Sequence, residues 1–86
     1  MPEISRFFGI IIKMFWDEHN PPHFHAFYGD EQALIRIDNC SLFAGHLSPR
    51  ALGLVIEWAT IHRQELMEDW SRAQGRKPLN AIEPLK

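Results

Sequence analysis

The sequence predicts an α+β domain in which an antiparallel meander of three to four strands packs against one long C-terminal helix. The first half of the chain is rich in β-branched and aromatic residues, which favour strands. Short segments containing glycine, proline, asparagine or aspartate interrupt that half and indicate turns. The second half carries apolar residues at three- and four-residue spacing, as an amphipathic helix does. The length of 86 residues predicts one domain over residues 1–86.

The predicted strands follow one another with short connections and cover residues 4–16, 23–28, 33–38 and 41–44. Within the first strand, Gly9 is expected to mark a bulge or bend. The Pro21-Pro22 pair then requires an extended, non-helical path. Gly29-Asp30 predicts a hairpin turn before the third strand. Consecutive strands joined in this way indicate an antiparallel meander.

The helix is predicted over residues 49–74, with a tail at 76–86. Ser48 is a candidate N-cap, and Pro49 suits the first helical position. Gly75 is the expected C-terminal cap. One apolar helix stripe can cover only one face of a sheet, and the strands carry apolar residues for both faces. The sequence therefore predicts a homo-oligomer or a bound partner protein.

Composition and charge narrow the classes of partner. The formal net charge is -2, so the chain as a whole lacks the excess of basic residues that is typical of nucleic-acid-binding proteins. A local basic patch that binds nucleic acid is still compatible with the sequence. Cys40 is the single cysteine, so no internal disulfide forms. Together with a start that lacks the features of a signal peptide, this predicts a cytoplasmic protein. The apolar run from Phe7 to Ile12 is too short to span a membrane.

A cluster of histidines is the most distinctive feature of the chain. His19, His23 and His25 lie within seven residues. On a strand, His23 and His25 point to the same face, and His19 precedes the proline corner and could fold back toward them. Three neutral imidazoles suit zinc or nickel and leave an open position for water. Alternatively, the histidines are polar residues of an exposed strand or bind backbone carbonyls around the prolines.

Other polar residues are candidates for roles beside this cluster. Asp17 and Glu18 are the candidate catalytic residues, because a carboxylate there could bind a metal, orient a ligand or activate water. His62 lies on the apolar stripe of the helix, either as a core histidine or as a fourth ligand. The glycines are scattered, so no phosphate-cradling loop and no organic cofactor site are predicted.

Several segments resemble a known family along nearly the whole chain. They are Pro2 to Ile10, Asp17 to Ala26, Glu57-Trp58 with His62-Arg63, and Lys77-Pro78-Leu79 with Ile82 to Leu85. Together they are similar to short bacterial proteins called domain of unknown function 4160. The resemblance implies no particular reaction. It does imply a genetic context beside a small protein of the domain of unknown function 2442 type, in an arrangement like a toxin–antitoxin pair.

Two hypotheses for function follow. In the first, the protein is a binding module and one component of a two-protein, toxin–antitoxin-like system, and its histidine segment belongs to a partner-binding surface. In the second, it is a small metal-dependent hydrolase or nuclease. His19, His23 and His25 would then hold the metal, and Asp17 or Glu18 would activate water.

Overall fold

The computed structural model describes residues 2–86 and has an α+β fold. Five strands form one antiparallel sheet in which the spatial order equals the chain order, and two helices follow. The elements are β1 (Glu3–Phe7), β2 (Ile10–Lys13), β3 (His23–Tyr28), β4 (Glu31–Arg36), β5 (Leu42–His46), α1 (Pro49–Ile61) and α2 (Arg63–Gln74). The α+β class and the antiparallel sheet are thus confirmed, whereas the numbers of strands and helices were wrong.

The segment predicted as one strand over residues 4–16 is a hairpin. Phe7 pairs with Ile10, so Phe8 and Gly9 form a two-residue turn. Their φ angles are 50° and 80°. Tight hairpin turns of the type I′ class need positive φ at both positions, and a bulky residue is uncommon there. Because phenylalanine occupies the first position, the turn lacks its usual sequence signal.

The third and fourth predicted strands are displaced from their positions in the structure. β4 begins at Glu31 rather than at residue 33, because Tyr28 pairs with Glu31 directly across the turn. β5 covers Leu42–His46 rather than 41–44 and continues through Gly45. Gly45 has a φ of 81°, and a Cβ there would lie 2.3 Å from the carbonyl oxygen of Gln32. The glycine therefore permits close pairing of β4 and β5 at this position.

The predicted single helix over residues 49–74 is divided at His62. This residue has φ -110° and ψ 25°, outside the helical range. Two residues earlier, the hydroxyl of Thr60 donates to the carbonyl oxygen of Ile56 at 2.8 Å. Such bonds compete with the backbone ladder and bend helices. Beyond the break, Nδ1 of His62 lies 2.6 Å from Oε1 of Glu65 and fixes the start of α2.

The start of α1 is held by a strand residue. Ser48 makes no side-chain capping bond to the helix. Its backbone N–H donates instead to Oε1 of Glu31 at 2.9 Å. The carboxylate of β4 therefore has the anchoring role that the sequence assigned to the serine hydroxyl.

The apolar core lies between α1 and one face of the sheet. Trp58 is fully buried, and its ring packs against Phe7 and Phe24 at centroid distances of 5.3 and 5.8 Å. Its indole N–H donates to the carbonyl oxygen of Glu83 at 2.8 Å. The backbone N–H of Ile82 donates to Ile4 at 2.7 Å, so the C-terminal tail lies beside β1. Within residues 2–86, neither helix has the length and apolar character required to cross a membrane.

The register of the sheet defines a second face, opposite α1. Ile10, Ile12, Phe24 and Ala26 face the core and are fully buried. Their neighbours in sequence point the other way, and we call this surface the open face. On β2 to β4 it includes Ile11, Lys13, His23, His25, Phe27 and Leu34.

Candidate metal centre

Strand β3 and the loop before it bring three polar side chains together on the open face. His23 and His25 are two residues apart and therefore point to the same side. The loop over residues 14–22 returns from β2, and it places Glu18 over this side. Pro22 accepts a backbone hydrogen bond from Ile37 at 3.0 Å, which fixes the end of the loop.

The tautomer of His23 follows from its hydrogen bond. Nδ1 lies 2.7 Å from the carbonyl oxygen of Pro21. A carbonyl oxygen only accepts, so Nδ1 carries a proton, and in the neutral ring Nε2 presents a lone pair. Nε2 is buried, has no hydrogen-bond partner among residues 2–86, and lies 3.5 Å from Oε1 of Glu18. An electron pair thus faces a carboxylate oxygen inside the protein.

His25 contacts the same carboxylate as a hydrogen-bond donor, whereas His23 directs a lone pair toward it. Its Nε2 lies 2.7 Å from Oε1 of Glu18, so this nitrogen donates a hydrogen bond. Nδ1 is 3.5 Å from Nε2 of Gln32 and accepts from that amide. The side chain of Glu18 retains 25% exposure, whereas those of His23 and His25 retain 5% and 11%. The carboxylate is therefore the part of the cluster nearest to solvent.

Aromatic rings surround both imidazoles. The ring of His23 lies 5.3 Å from that of Trp70 and 5.8 Å from that of Phe43. The ring of His25 meets the edge of Phe15 at 4.7 Å and is parallel to Phe27 at 6.3 Å. These contacts limit ring rotation. They also reduce the local dielectric constant, which strengthens electrostatic interactions within the cluster.

The cluster has the composition of a metal site. One ligand atom from each of Glu18, His23 and His25 lies within 4.8 Å of the others. Metal–nitrogen bonds of about 2.0–2.1 Å place ligand atoms roughly 3–3.5 Å apart, so small side-chain rotations would close the site. Two imidazoles and one carboxylate form the ligand set of several zinc hydrolases and of non-haem iron sites.

The other predicted site residues lie outside this group. Asp17 forms an exposed ion pair with Arg76, with 2.9 Å between Oδ2 and the guanidinium. His19 is exposed in the loop and is not part of the cluster described by the geometry. His62 contacts Trp58 at 5.6 Å and Glu65, so it belongs to the helix junction. The structure brings together one predicted carboxylate and two of the three clustered histidines.

Some residues that support the cluster carry no signal in the sequence. The amide of Gln74, at the end of α2, donates to the carbonyl oxygen of Glu18 at 2.9 Å. The indole of Trp16 donates to the carbonyl oxygen of Lys77 at 2.9 Å. Both bonds join segments more than 50 residues apart. Gln32, in contrast, could have been predicted from the sequence, because the register of the β3–β4 hairpin places it near His25.

These features define a small α+β domain with two buried histidines and a partly exposed carboxylate clustered on the open face of its sheet. The chain belongs to the family described as "Domain of unknown function (DUF4160)", whose sequence pattern matches residues 9–71. The matched segment includes Glu18, His23 and His25, and the resemblance recognised from the sequence is confirmed. No curated protein and no solved structure matches the chain.

Proposed function

We propose that this protein binds a divalent transition metal, zinc or nickel, through Glu18, His23 and His25. The observation that carries the proposal is the buried Nε2 of His23, which has no hydrogen-bond partner among residues 2–86 and lies 3.5 Å from Oε1 of Glu18. A lone pair opposite a carboxylate oxygen is repulsive unless a positive charge lies between them. A metal ion would supply that charge and use both atoms as ligands, and its binding would displace the proton from Nε2 of His25 so that this nitrogen can ligate as well.

A metal held by these three ligands would favour hydrolytic chemistry. Three protein ligands leave a coordination position for water, and zinc lowers the pKa of bound water to about 7. In this proposal, Glu18 would hold the metal together with His23 and His25, and the metal would supply an activated water for hydrolysis. Asp17 is engaged by Arg76 and has no part in the reaction. The corresponding activity is that of a small metal-dependent hydrolase or nuclease.

Metal titration of the tag-free protein tests the proposal. Zinc or nickel at 100 times its dissociation constant should stabilise the fold by about 2.7 kcal/mol. Calorimetry should give one site per chain, and elemental analysis should detect the metal in the purified protein. Binding should weaken from pH 8 to pH 5, because protonated imidazole cannot ligate. If neither zinc nor nickel changes the free energy of unfolding, the proposed metal site is refuted.

Histidine variants show which side chains bind the metal. His23→Gln should abolish tight binding, whereas His46→Gln should match the wild type, because the side chain of His46 is 76% exposed and lies beside Glu31 instead of Glu18. His19→Gln should also match the wild type, since His19 is exposed and outside the cluster. Loss of binding in His19→Gln would instead support the three-histidine site expected from the sequence.

A second proposal concerns a partner protein. We propose that the edge of the open face binds either a second copy of this chain or a small protein of the domain of unknown function 2442 type, as in a toxin–antitoxin-like pair. All five residues of β5 are exposed, including Leu42 at 44% and Phe43 at 46%. An apolar strand edge without lysine or proline is a favourable site for pairing with another chain.

Association measurements test this second proposal. Sedimentation at micromolar concentration should show a dimer, or the neighbouring gene product should co-purify. Phe43→Glu should abolish that association, because a charge would be buried in the interface. A protein that stays monomeric at this concentration and does not bind the neighbouring product would refute the proposal.

A further inference from the structure

We infer that Lys13 forms an anion subsite beside the metal centre, and that the ligand of this site is a phosphate ester with a planar organic group. The inference rests on the proposed metal function. Lys13 and His25 are register partners on β2 and β3, so their side chains lie on the same face of the sheet. Directly opposed residues in an antiparallel pair have Cβ atoms about 4.5–5.5 Å apart.

The position of the lysine ammonium supports this role. Nζ of Lys13 lies 4.9 Å from the centre of the Phe27 ring, and the parallel ring of His25 lies next to Phe27. The ammonium group therefore lies over the open face, beside Phe27 and on the strand next to His25. Lysine acts as a flexible point charge toward phosphate, and its unbranched stem would have to turn from Phe27 toward His25 to reach an anion bound at the metal.

The neighbouring charges leave this cation available. Glu3 is the register partner of Lys13 on β1, but both carboxylate oxygens of Glu3 accept bonds from Arg6, at 2.8 and 3.1 Å, and none from Lys13. The bond from Arg6 lowers the pKa of Glu3, and the charge of Lys13 contributes to lowering it. Arg36, opposite His23, is neutralised by Asp38 in the same two-bonded manner. Once a divalent metal is bound, the positive charge of the metal exceeds the charge of Glu18 by one.

This balance selects the class of ligand. With a neutral water on the metal, the metal centre and Lys13 together would present two uncompensated positive charges, which match the nearly doubly charged phosphate of a monoester at pH 7. A carboxylate would neutralise only one of them. The rings of Phe27 and Phe43, which flank His25 and His23, provide apolar surface for the organic group.

Titration of the zinc-loaded protein with phenyl phosphate tests the inference. Phenyl phosphate should bind more tightly than benzoate, and Lys13→Gln should weaken phenyl phosphate binding about tenfold. Lys86→Gln removes the same charge from an exposed position near the C-terminus and should leave binding unchanged. Zinc affinity, measured separately by calorimetry, should be the same in wild type, Lys13→Gln and Lys86→Gln.

The outcomes separate this inference from the metal proposal. If zinc binds but phenyl phosphate does not, or binds Lys13→Gln as well as the wild type, the anion subsite is refuted and the metal site stands. Equal binding of benzoate and phenyl phosphate would refute the choice of a dianionic ligand. If zinc itself does not bind, the metal proposal fails, and the inference fails with it.

Discussion

The two faces of β3 are both buried, but they are buried in different ways. Phe24 on the core face is fully buried beneath Trp58, in an apolar environment. His23 and His25 on the open face are only 4% and 9% exposed. A loop and a set of aromatic rings cover them, and three of their four ring nitrogens have polar partners. Alternation along one strand has thus produced a packed core and a polar cluster from adjacent residues.

Burial alone therefore does not show that a residue serves the stability of the fold. A core side chain stabilises the fold through apolar surface removed from water, at roughly 25 cal/mol per Å². A buried imidazole loses solvation and regains it only through its hydrogen bonds, so its net contribution is small. In our proposal, the two adjacent imidazoles serve metal binding and not stability.

Phenylalanine and histidine can be exchanged between the two faces of β3. Placing histidine on the core face should lower the free energy of unfolding more than placing phenylalanine on the open face. Phe24→His removes apolar contacts with Trp58 and buries imidazole nitrogens that have no partner. We expect the free energy of unfolding to fall by about 3 kcal/mol or more. Because an 86-residue domain has a total stability of roughly 4–13 kcal/mol, this variant should be close to unfolding. Urea denaturation measures the loss.

The reverse exchange is the control for that experiment. His25→Phe keeps the aromatic contacts with Phe15 and Phe27 and leaves Glu18 with access to solvent. The free energy of unfolding should change by less than about 1.5 kcal/mol, while metal binding should be lost. Similar stability losses in the two variants would contradict the distinction between the faces.

Metal binding on the open face should also depend on the loop over residues 14–22, which carries Glu18. Gln74→Ala removes the bond to the carbonyl oxygen of Glu18 and frees that ligand to move. Loss of such an orienting contact should weaken zinc binding about tenfold. Gln74 is exposed, so the free energy of unfolding should fall by no more than about 1.5 kcal/mol. Calorimetry measures the affinity, and denaturation measures the stability.

Gln64→Ala is the matched control, because Gln64 is exposed on the same helix. It should bind zinc like the wild type. If both variants lower the affinity equally, the effect arises from helix stability and not from the position of Glu18. If Gln74→Ala binds zinc normally, the loop is positioned without the glutamine.

The sequence was sufficient for the features that depend on local patterns. The meander and the shared face of His23 and His25 follow from alternation and turn residues. The hairpin at Phe8 was missed because its turn carries a bulky residue at positive φ. The helix break at His62 was missed because a single hydroxyl bond from Thr60 leaves the apolar spacing unchanged.

The composition of the site required tertiary information. Asp17 and Glu18 are adjacent carboxylates and are equivalent in the sequence. Contacts from the end of α2 and from the tail that follows it separate their roles, since Gln74 holds the backbone of Glu18 while Arg76 binds Asp17. The folded direction of the loop likewise separates His19 from the two strand histidines. Periodicity carries no information about either outcome.

Asp69 is a buried polar residue outside the cluster, and its substitution is expected to have the smallest effect on stability. Asp69 on α2 is 1% exposed, and Oδ1 accepts the backbone N–H of Asn80 at 2.8 Å. Oδ2 has no hydrogen-bond partner among residues 2–86. Burial raises the pKa of Asp69, while the bond from Asn80 and the charge of Arg72 partly offset the effect. Unlike Glu18, this carboxylate has no histidine beside it.

The raised pKa sets the sign of the pH dependence. The native state holds the Asp69 proton more tightly than the unfolded chain, whose pKa is about 3.9. Stability therefore decreases as the pH rises from that value through the raised pKa, and the loss persists at neutral pH. Asp69→Asn keeps an oxygen for Asn80 and removes the charge. The variant should be slightly more stable than wild type at pH 7 and nearly equal at pH 3.

Denaturation at both pH values checks this difference, with Glu57→Gln as the exposed control on α1. The pKa values of Glu3 and Asp38 are lowered by bonds to Arg6 and Arg36, so these groups contribute stability that is lost at low pH. Their contributions are the same in wild type and variant and cancel in the comparison. A stability difference between Asp69→Asn and wild type that does not change with pH would show that the charge of Asp69 carries no penalty. An uncompensated buried carboxylate would then be tolerated in this fold, and the electrostatic argument for a cation between His23 and Glu18 would be weaker.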